Sequence, residues 1–167
     1  MRFVISGEWT KNSLLRLIMF FFLLYILFFW MTNMFLFIHK MGITVSTIVD
    51  YYRGSEERFL QPRSYQSLLE LSHFHLFAMG ILILTLTHLL LFAPIEISTK
   101  AQLIVATFGS AFLEEISGWL IRFVHPSFAY LKIGSFILLQ LSLLVVMAIV
   151  LIALVSKQTS AYRESER

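Results

Sequence analysis

Four apolar stretches dominate this sequence, and each is long enough to cross a lipid bilayer as a helix. A span needs about 20 helical residues at roughly 1.5 Å of rise each. The predicted helices cover about 14–39, 67–92, 101–124 and 130–156, and the only long connection is an extramembrane loop at 41–66. We therefore expect an all-α integral membrane protein in which residues 1–167 form one transmembrane domain, an antiparallel up-down four-helix bundle.

Composition agrees with the membrane class and excludes several others. The chain is 58% hydrophobic and 14% charged, whereas a soluble domain has roughly 45–50% and about 25%. It contains no cysteine, which excludes disulfides, thiolate iron–sulfur clusters and covalently attached c-type haem. Its 13 Lys and Arg are scattered without a basic run, so nucleic acid is not an expected partner.

The long loop contains one helical pattern. Val45, Ile48, Val49 and Tyr52 are spaced i, i+3, i+4, i+7, which predicts a short interfacial helix with one apolar face. We expect it to cap the surface of the bundle.

Basic residues outside the spans predict the orientation. The side that holds the termini has seven: Arg2, Lys11, Arg16, Lys100, Lys157, Arg163 and Arg167. The opposite side has five, or six with Arg122: Lys40, Arg53, Arg58, Arg63 and Lys132. The positive-inside rule therefore favours cytoplasmic termini in a bacterial-type inner (plasma) membrane.

The ionisable residues within the spans are the candidates for function, because each is costly in lipid without a partner or water. On the expected topology, one half of the membrane holds four of the five histidines and Glu70, with the Glu114–Glu115 pair deeper; the histidines are His39, His73, His75 and His125. These residues form a candidate histidine and carboxylate cluster.

Helical geometry narrows the candidates on the second span. At about 100° per residue, one broad stripe is predicted to face the bundle interior and contains Glu70, His73, Phe77, Gly80, Leu84 and His88. His73 and His75 point in nearly opposite directions, so at most one of them is expected to be a central ligand.

His73, Gly80 and His88 on one stripe resemble the haem-binding helix of four-helix membrane cytochromes of the b type. The resemblance covers the second helix and the architecture only. It implies a haem b on the outer side, between His73 or His75 and His125 or His39.

A transition metal is the alternative cofactor, with His73, His75 and Glu70 as its ligands. In a purely structural alternative, the same residues form a hydrogen-bond network that holds the helices in register without a cofactor. Trp119 is assigned to an interfacial aromatic belt.

Two adjacent carboxylates at membrane depth are the strongest anomaly in the sequence. Glu114 and Glu115, with Arg122 two turns beyond Glu115, are expected either to contact a proton path or a quinone, or to pair with Arg122, Lys132 or a partner subunit.

The leading functional hypothesis is a small membrane subunit of an electron-transfer complex, with other membrane subunits and a quinone as its partners. Catalysis by this chain alone is not indicated. The alternative is a non-catalytic structural or assembly subunit without a cofactor. A transporter is less favoured, because four spans without repeats or broken helices leave little room for alternating access.

Overall fold

The computed structural model describes residues 13–165, and the side chains of residues 13–155. It contains five helices in this range: α1 Ser13–Met41, α2 Val45–Arg53, α3 Tyr65–Leu90, α4 Ile97–Phe123 and α5 Phe128–Ser165. All except α2 are long and apolar enough to cross a membrane. The all-helical multi-pass class is thus confirmed, whereas the up-down bundle order stays a prediction.

Helix α5 extends beyond the end expected from the sequence. The predicted end at about 156 followed the last apolar residue, Val155, but the helix continues to Ser165. A helix that leaves the bilayer has no need to end where its apolar residues end, because its backbone hydrogen bonds are internal to the segment.

The predicted interfacial helix is present as α2. The Thr44 side chain caps its first turn by accepting a hydrogen bond from the backbone N–H of Thr47 at 3.3 Å, and Gly54, at φ 81°, ends it. Ile48 and Tyr52 are buried, with 0% and 2% of their surface exposed. Helix α2 therefore inserts side chains into the end of the bundle, where a surface cap had been expected.

Helix α5 is the central element of the bundle, with contacts to each of the other four helices. Val146 and Val150 of α5 are fully buried. Trp30 of α1 donates its indole N–H to the carbonyl of Gln140 in α5 at 3.1 Å. Over the described residues, no Cα of α1 comes within 8 Å of a Cα of α3, so these two helices leave a gap between them.

Helix α1 presents a largely apolar surface to its surroundings. Phe21, Tyr25 and Phe28 have 58%, 74% and 59% of their surface exposed. Lipid tails are as apolar as these side chains, so their exposure costs nothing in a bilayer.

Candidate functional site

A buried ion pair between α4 and α5 forms the centre of the site. Lys132, one turn into α5, and Glu114 of α4 have only 3% and 4% of their surface exposed. The Lys132 ammonium pairs with Glu114 Oε1 and also donates to the Glu114 backbone carbonyl at 2.8 Å. The two charges compensate each other in a place where either alone would be costly.

A second pair, between α3 and α4, lies beside the first. His75 Nδ1 is 2.7 Å from Glu115 Oε2. Ser72 donates its hydroxyl to Glu115 Oε1 at 2.5 Å, and Trp119 Nε1 donates to Ser72 Oγ at 2.8 Å. This chain of hydrogen bonds fixes both oxygens of the Glu115 carboxylate.

The two pairs form one charged cluster of four residues. Glu114 Oε2 is 4.0 Å from His75 Nδ1, and it is buried without a hydrogen-bond partner among the described residues. Two carboxylates and one ammonium leave one negative charge, which a protonated His75 would balance. We name His75, Glu114, Glu115 and Lys132 the His–Glu–Lys cluster.

Tyr52 of α2 closes the cluster on the side of the long loop. Lys132 Nζ is 5.7 Å from the centroid of the Tyr52 ring. The ring packs on Gly118, where an added Cβ would lie 2.9 Å from Tyr52 Cε1. Burial raises the pKa of Tyr52 to about 12, so its phenol is neutral at physiological pH and adds no charge to the cluster.

A cleft of about 470 Å³ leads from the cluster to the gap between α1 and α3. Its base is lined by the whole His–Glu–Lys cluster together with Ser72 and Trp119. Its apolar walls are formed by residues such as Phe29 and Leu36 of α1 and Leu71 and Phe74 of α3. These four side chains are also exposed on the outer surface, so the cleft opens toward the lipid. A smaller cavity of about 140 Å³ reaches His75, Glu114 and Glu115 as well.

The predicted interior stripe of α3 is wrong. Phe77 and Leu84 on that stripe have 70% and 61% of their surface exposed, and Glu70, His73 and His88 are exposed too. The buried face runs instead through Leu68, Ser72, Met79, Ile83, Leu86 and Leu90. In a span that is apolar on nearly every side, lipid replaces protein without penalty, so the sequence pattern does not mark the buried face.

Most of the predicted site residues are not brought together. His39, His73 and His125 are exposed. His125 is hydrogen-bonded to Ser127 at 2.7 Å, and Glu70 accepts a hydrogen bond from Gln66 at 3.0 Å. The metal set His73, His75 and Glu70 is therefore not assembled, and the histidine that faces the interior is His75.

Arg122 does not join the carboxylates either. Its Nε donates to the Arg63 carbonyl at 2.8 Å, which ties α4 to the loop before α3. The predicted pairing of Glu114 with Lys132 is present, whereas Glu115 pairs with His75.

Ser72 and Trp119 were not identified as site residues from the sequence. The sequence predicts an interfacial aromatic belt at Trp119, but its indole N–H is directed at Ser72. Both positions do carry a signal, since Ser72 precedes His75 by three residues and Trp119 follows Glu115 by four, so each is a helical neighbour of a candidate residue.

The fold and the charged cluster define a multi-pass membrane protein with an ionisable site buried within its spans. A family described as a transmembrane helical domain matches residues 42–161, and the chain belongs to this family. The match includes the helices α2, α3 and α4 and the membrane span Phe128–Val155 of α5. It also includes every residue of the His–Glu–Lys cluster. No curated protein and no solved structure matches the chain.

Proposed function

We propose that this protein binds a lipid-soluble quinone in the cleft and exchanges protons with it through His75 and Glu115, as a small subunit of an electron-transfer complex. The observation that carries the proposal is the position of an ionisable pair at the base of a cleft that opens toward lipid. A quinone reaches such a site by diffusing sideways from the bilayer.

The chemistry of the site suits a quinone head. Reduction of a quinone to a quinol takes up two electrons and two protons. In this proposal a partner subunit supplies both electrons. Protonated His75 donates one proton to a carbonyl oxygen of the quinone, and the second proton follows by the same route after His75 has taken up a proton that comes from water. The hydrogen bond within the pair, at 2.7 Å, and the one that Ser72 donates to Glu115, at 2.5 Å, hold both side chains in place before the ligand arrives.

The cluster also supports the re-protonation of His75. Glu114 Oε2 has no hydrogen-bond partner among the described residues and is 4.0 Å from His75 Nδ1. It is therefore placed to accept a proton from water and to pass it to His75 after the transfer. Lys132 balances the charge of Glu114 during this exchange.

Haem b is not part of this proposal. A haem held by two histidines needs two imidazoles that face each other, but His39, His73 and His125 are exposed while His75 is directed at Glu115. The resemblance to b-type cytochromes stays an expectation from the sequence.

A divalent transition metal is the second candidate ligand. His75, Glu114 and Glu115 each offer one atom, and these atoms lie within 4.8 Å of one another. A nitrogen and two carboxylate oxygens suit zinc or iron, with the cleft open to a further ligand. The Lys132 ammonium on Glu114 would oppose a cation there, and for that reason we rank the metal second.

The test is quinone binding to the purified protein in lipid nanodiscs, measured by quenching of tryptophan fluorescence with a short-chain ubiquinone. We expect saturable binding, because Trp119 lines the cleft. His75→Gln should weaken it about 10- to 100-fold, the range for loss of a hydrogen bond to a charged group. His73→Gln is the matched control, two residues away on the same helix and exposed, and it should change the affinity less than twofold.

Four outcomes would overturn the proposal. Quenching that rises linearly with quinone concentration would indicate simple partitioning into lipid and no specific site. An equal loss of quinone affinity in His75→Gln and His73→Gln would show that binding does not depend on the His–Glu–Lys cluster. Stoichiometric zinc or iron in the same preparation, lost in the Glu115→Gln variant, would favour a metal site. If neither quinone nor metal is bound, the alternative of a structural subunit is favoured.

A further inference from the structure

A third cavity, of about 580 Å³, lies outside the His–Glu–Lys cluster, at the end of the bundle where α1 ends and α3 begins. It is lined by the last turn of α1, by α2 and by the loop before α3. Lys40 follows directly on the charge-free part of α1, and Ser64 and Ser67 stand at the start of α3. These positions place the cavity at the depth of the lipid headgroups.

The charges that line this cavity are predominantly positive. Three cations, Lys40, Arg58 and Arg63, face one carboxylate, Asp50. The lysine, the two arginines and the aspartate together leave a surplus of two positive charges. Lys40 is exposed and has no ion-pair partner among the described residues, so its charge is available to a ligand.

The two arginines are held in place by the protein itself. Arg58 Nη1 is 3.1 Å from Asp50 Oδ2. The Arg63 guanidinium lies 4.2 Å from the centroid of the Tyr51 ring, while the Arg63 backbone bonds the carbonyl of Tyr52 and accepts from Arg122. Side chains that are already ordered lose little entropy on binding an anion, and a guanidinium matches the geometry of phosphate oxygens.

This cavity adjoins the cleft of about 470 Å³ that leads to the His–Glu–Lys cluster. Lys40, Met41 and Tyr51 line both. A molecule with its anionic head in this cavity would therefore have its apolar chains beside the mouth of the cleft. Such an amphiphile is abundant in the bilayer that surrounds the protein.

We propose that this cavity binds the headgroup of an anionic bilayer phospholipid, with its phosphate between Lys40, Arg58 and Arg63. A zwitterionic lipid would bind more weakly, because its own cation would meet the surplus positive charge. The inference does not depend on the quinone proposal, since Arg58 and Arg63 do not line the cleft and lipid binding can be measured without quinone.

The test is lipid binding to the delipidated full chain in detergent, followed by native mass spectrometry. The probes are phosphatidylglycerol, phosphatidylcholine with the same acyl chains, and glycerol 3-phosphate as the headgroup without chains. We expect phosphatidylglycerol to bind at least 10-fold more tightly than either of the others.

Two charge-removing variants and one control locate the site. Lys40→Gln and Arg58→Gln should each weaken phosphatidylglycerol binding about fivefold, the effect of one basic residue near a membrane surface. Arg53→Gln removes a charge from the exposed end of α2, outside the cavity, and should leave binding unchanged.

Equal affinity for phosphatidylglycerol and phosphatidylcholine would overturn the proposal. So would a loss of phosphatidylglycerol affinity in Arg53→Gln as large as the loss in Lys40→Gln. Glycerol 3-phosphate bound as tightly as the lipid would show that the ligand is a free phosphate compound and would also overturn it.

Discussion

At the scale of single residues, Lys132 and Glu114 show how a membrane span carries charge. Each is buried and finds its partner on the neighbouring helix. The pair contributes little net stability compared with two apolar residues, but removal of one partner leaves the other charge stranded. Stability at this point therefore depends on the charges being matched.

We expect Lys132→Met to destabilise the protein by about 3–5 kcal/mol, the cost of one unpaired buried charge. Thermal unfolding in detergent measures the change. The double variant Lys132→Met, Glu114→Leu should recover most of the loss. Lys100→Met is a control at the opposite end of the bundle, where the ammonium donates to the Leu91 carbonyl at 2.6 Å, and should cost about 1 kcal/mol or less. A double variant no more stable than Lys132→Met would contradict this pairing.

Gln140 of α5 is a second buried polar residue, but its amide is not satisfied. It has 2% of its surface exposed, and neither its side-chain oxygen nor its nitrogen has a hydrogen-bond partner among the described residues. We expect Gln140→Met, similar in length, to raise stability by about 1–3 kcal/mol, because it removes an unpaired amide. Gln102→Met, on the exposed face of α4, should change it little. A drop in stability for Gln140→Met would show that the amide is satisfied in the membrane.

At the scale of the elements, the sequence predicted the existence of the helices better than their orientation. Length and hydropathy are sufficient to find a span, and the i, i+3, i+4, i+7 spacing found α2, because both follow from local chain geometry. The face of α3 that is buried depends on which neighbour it meets. His73 and His75 could not be distinguished for that reason, and only the packing shows that His75 is inside.

The same limit applies to the partners of Glu114 and Glu115. The sequence marked both as anomalous because two carboxylates in lipid are costly. Lys132 is distant along the chain, and its pairing depends on the turn between α4 and α5. Arg122 is closer in sequence to Glu115, yet it bonds the Arg63 carbonyl.

The docking of α2 on α4 rests on Gly118. An added Cβ there would meet Tyr52 Cε1 at 2.9 Å and its hydroxyl at 3.0 Å, so we expect Gly118→Ala to push the Tyr52 ring outward and cost about 1–3 kcal/mol. Gly109→Ala on the same helix is the matched control, since nothing lies within 4 Å of its added Cβ. Thermal unfolding compares the two, and an equal response would contradict the close packing of Tyr52.

At the scale of the whole molecule, the family match and the fold divide the chain in the same place. The family covers residues 42–161, which contain the whole cluster, whereas α1 lies outside the match and packs on α5 and α2. Helix α1 supplies the opposite wall of the cleft. The matched helices thus hold the chemistry of the site, and α1 shapes the access to it.

The structure also alters the charge count behind the predicted orientation. Lys132 is buried in a span and paired, so it no longer counts among the basic residues of the long-loop side, and the preference for cytoplasmic termini becomes stronger. The chain has no cysteine, which makes single-cysteine labelling clean. In intact cells we expect a membrane-impermeant maleimide to label Glu57→Cys but not Ser160→Cys. The reverse pattern would invert the topology.

Photolabelling of the protein in membranes locates a bound quinone directly. With a short-chain azidoquinone and peptide mapping, we expect the label on cleft residues of α1 and α3 such as Leu36 and Phe74. Excess unlabelled quinone and the His75→Gln variant should both suppress it, whereas His73→Gln should not. Label confined to lipid-facing residues such as Phe21 and Tyr25, unaffected by competitor or by His75→Gln, would contradict a quinone site at the His–Glu–Lys cluster.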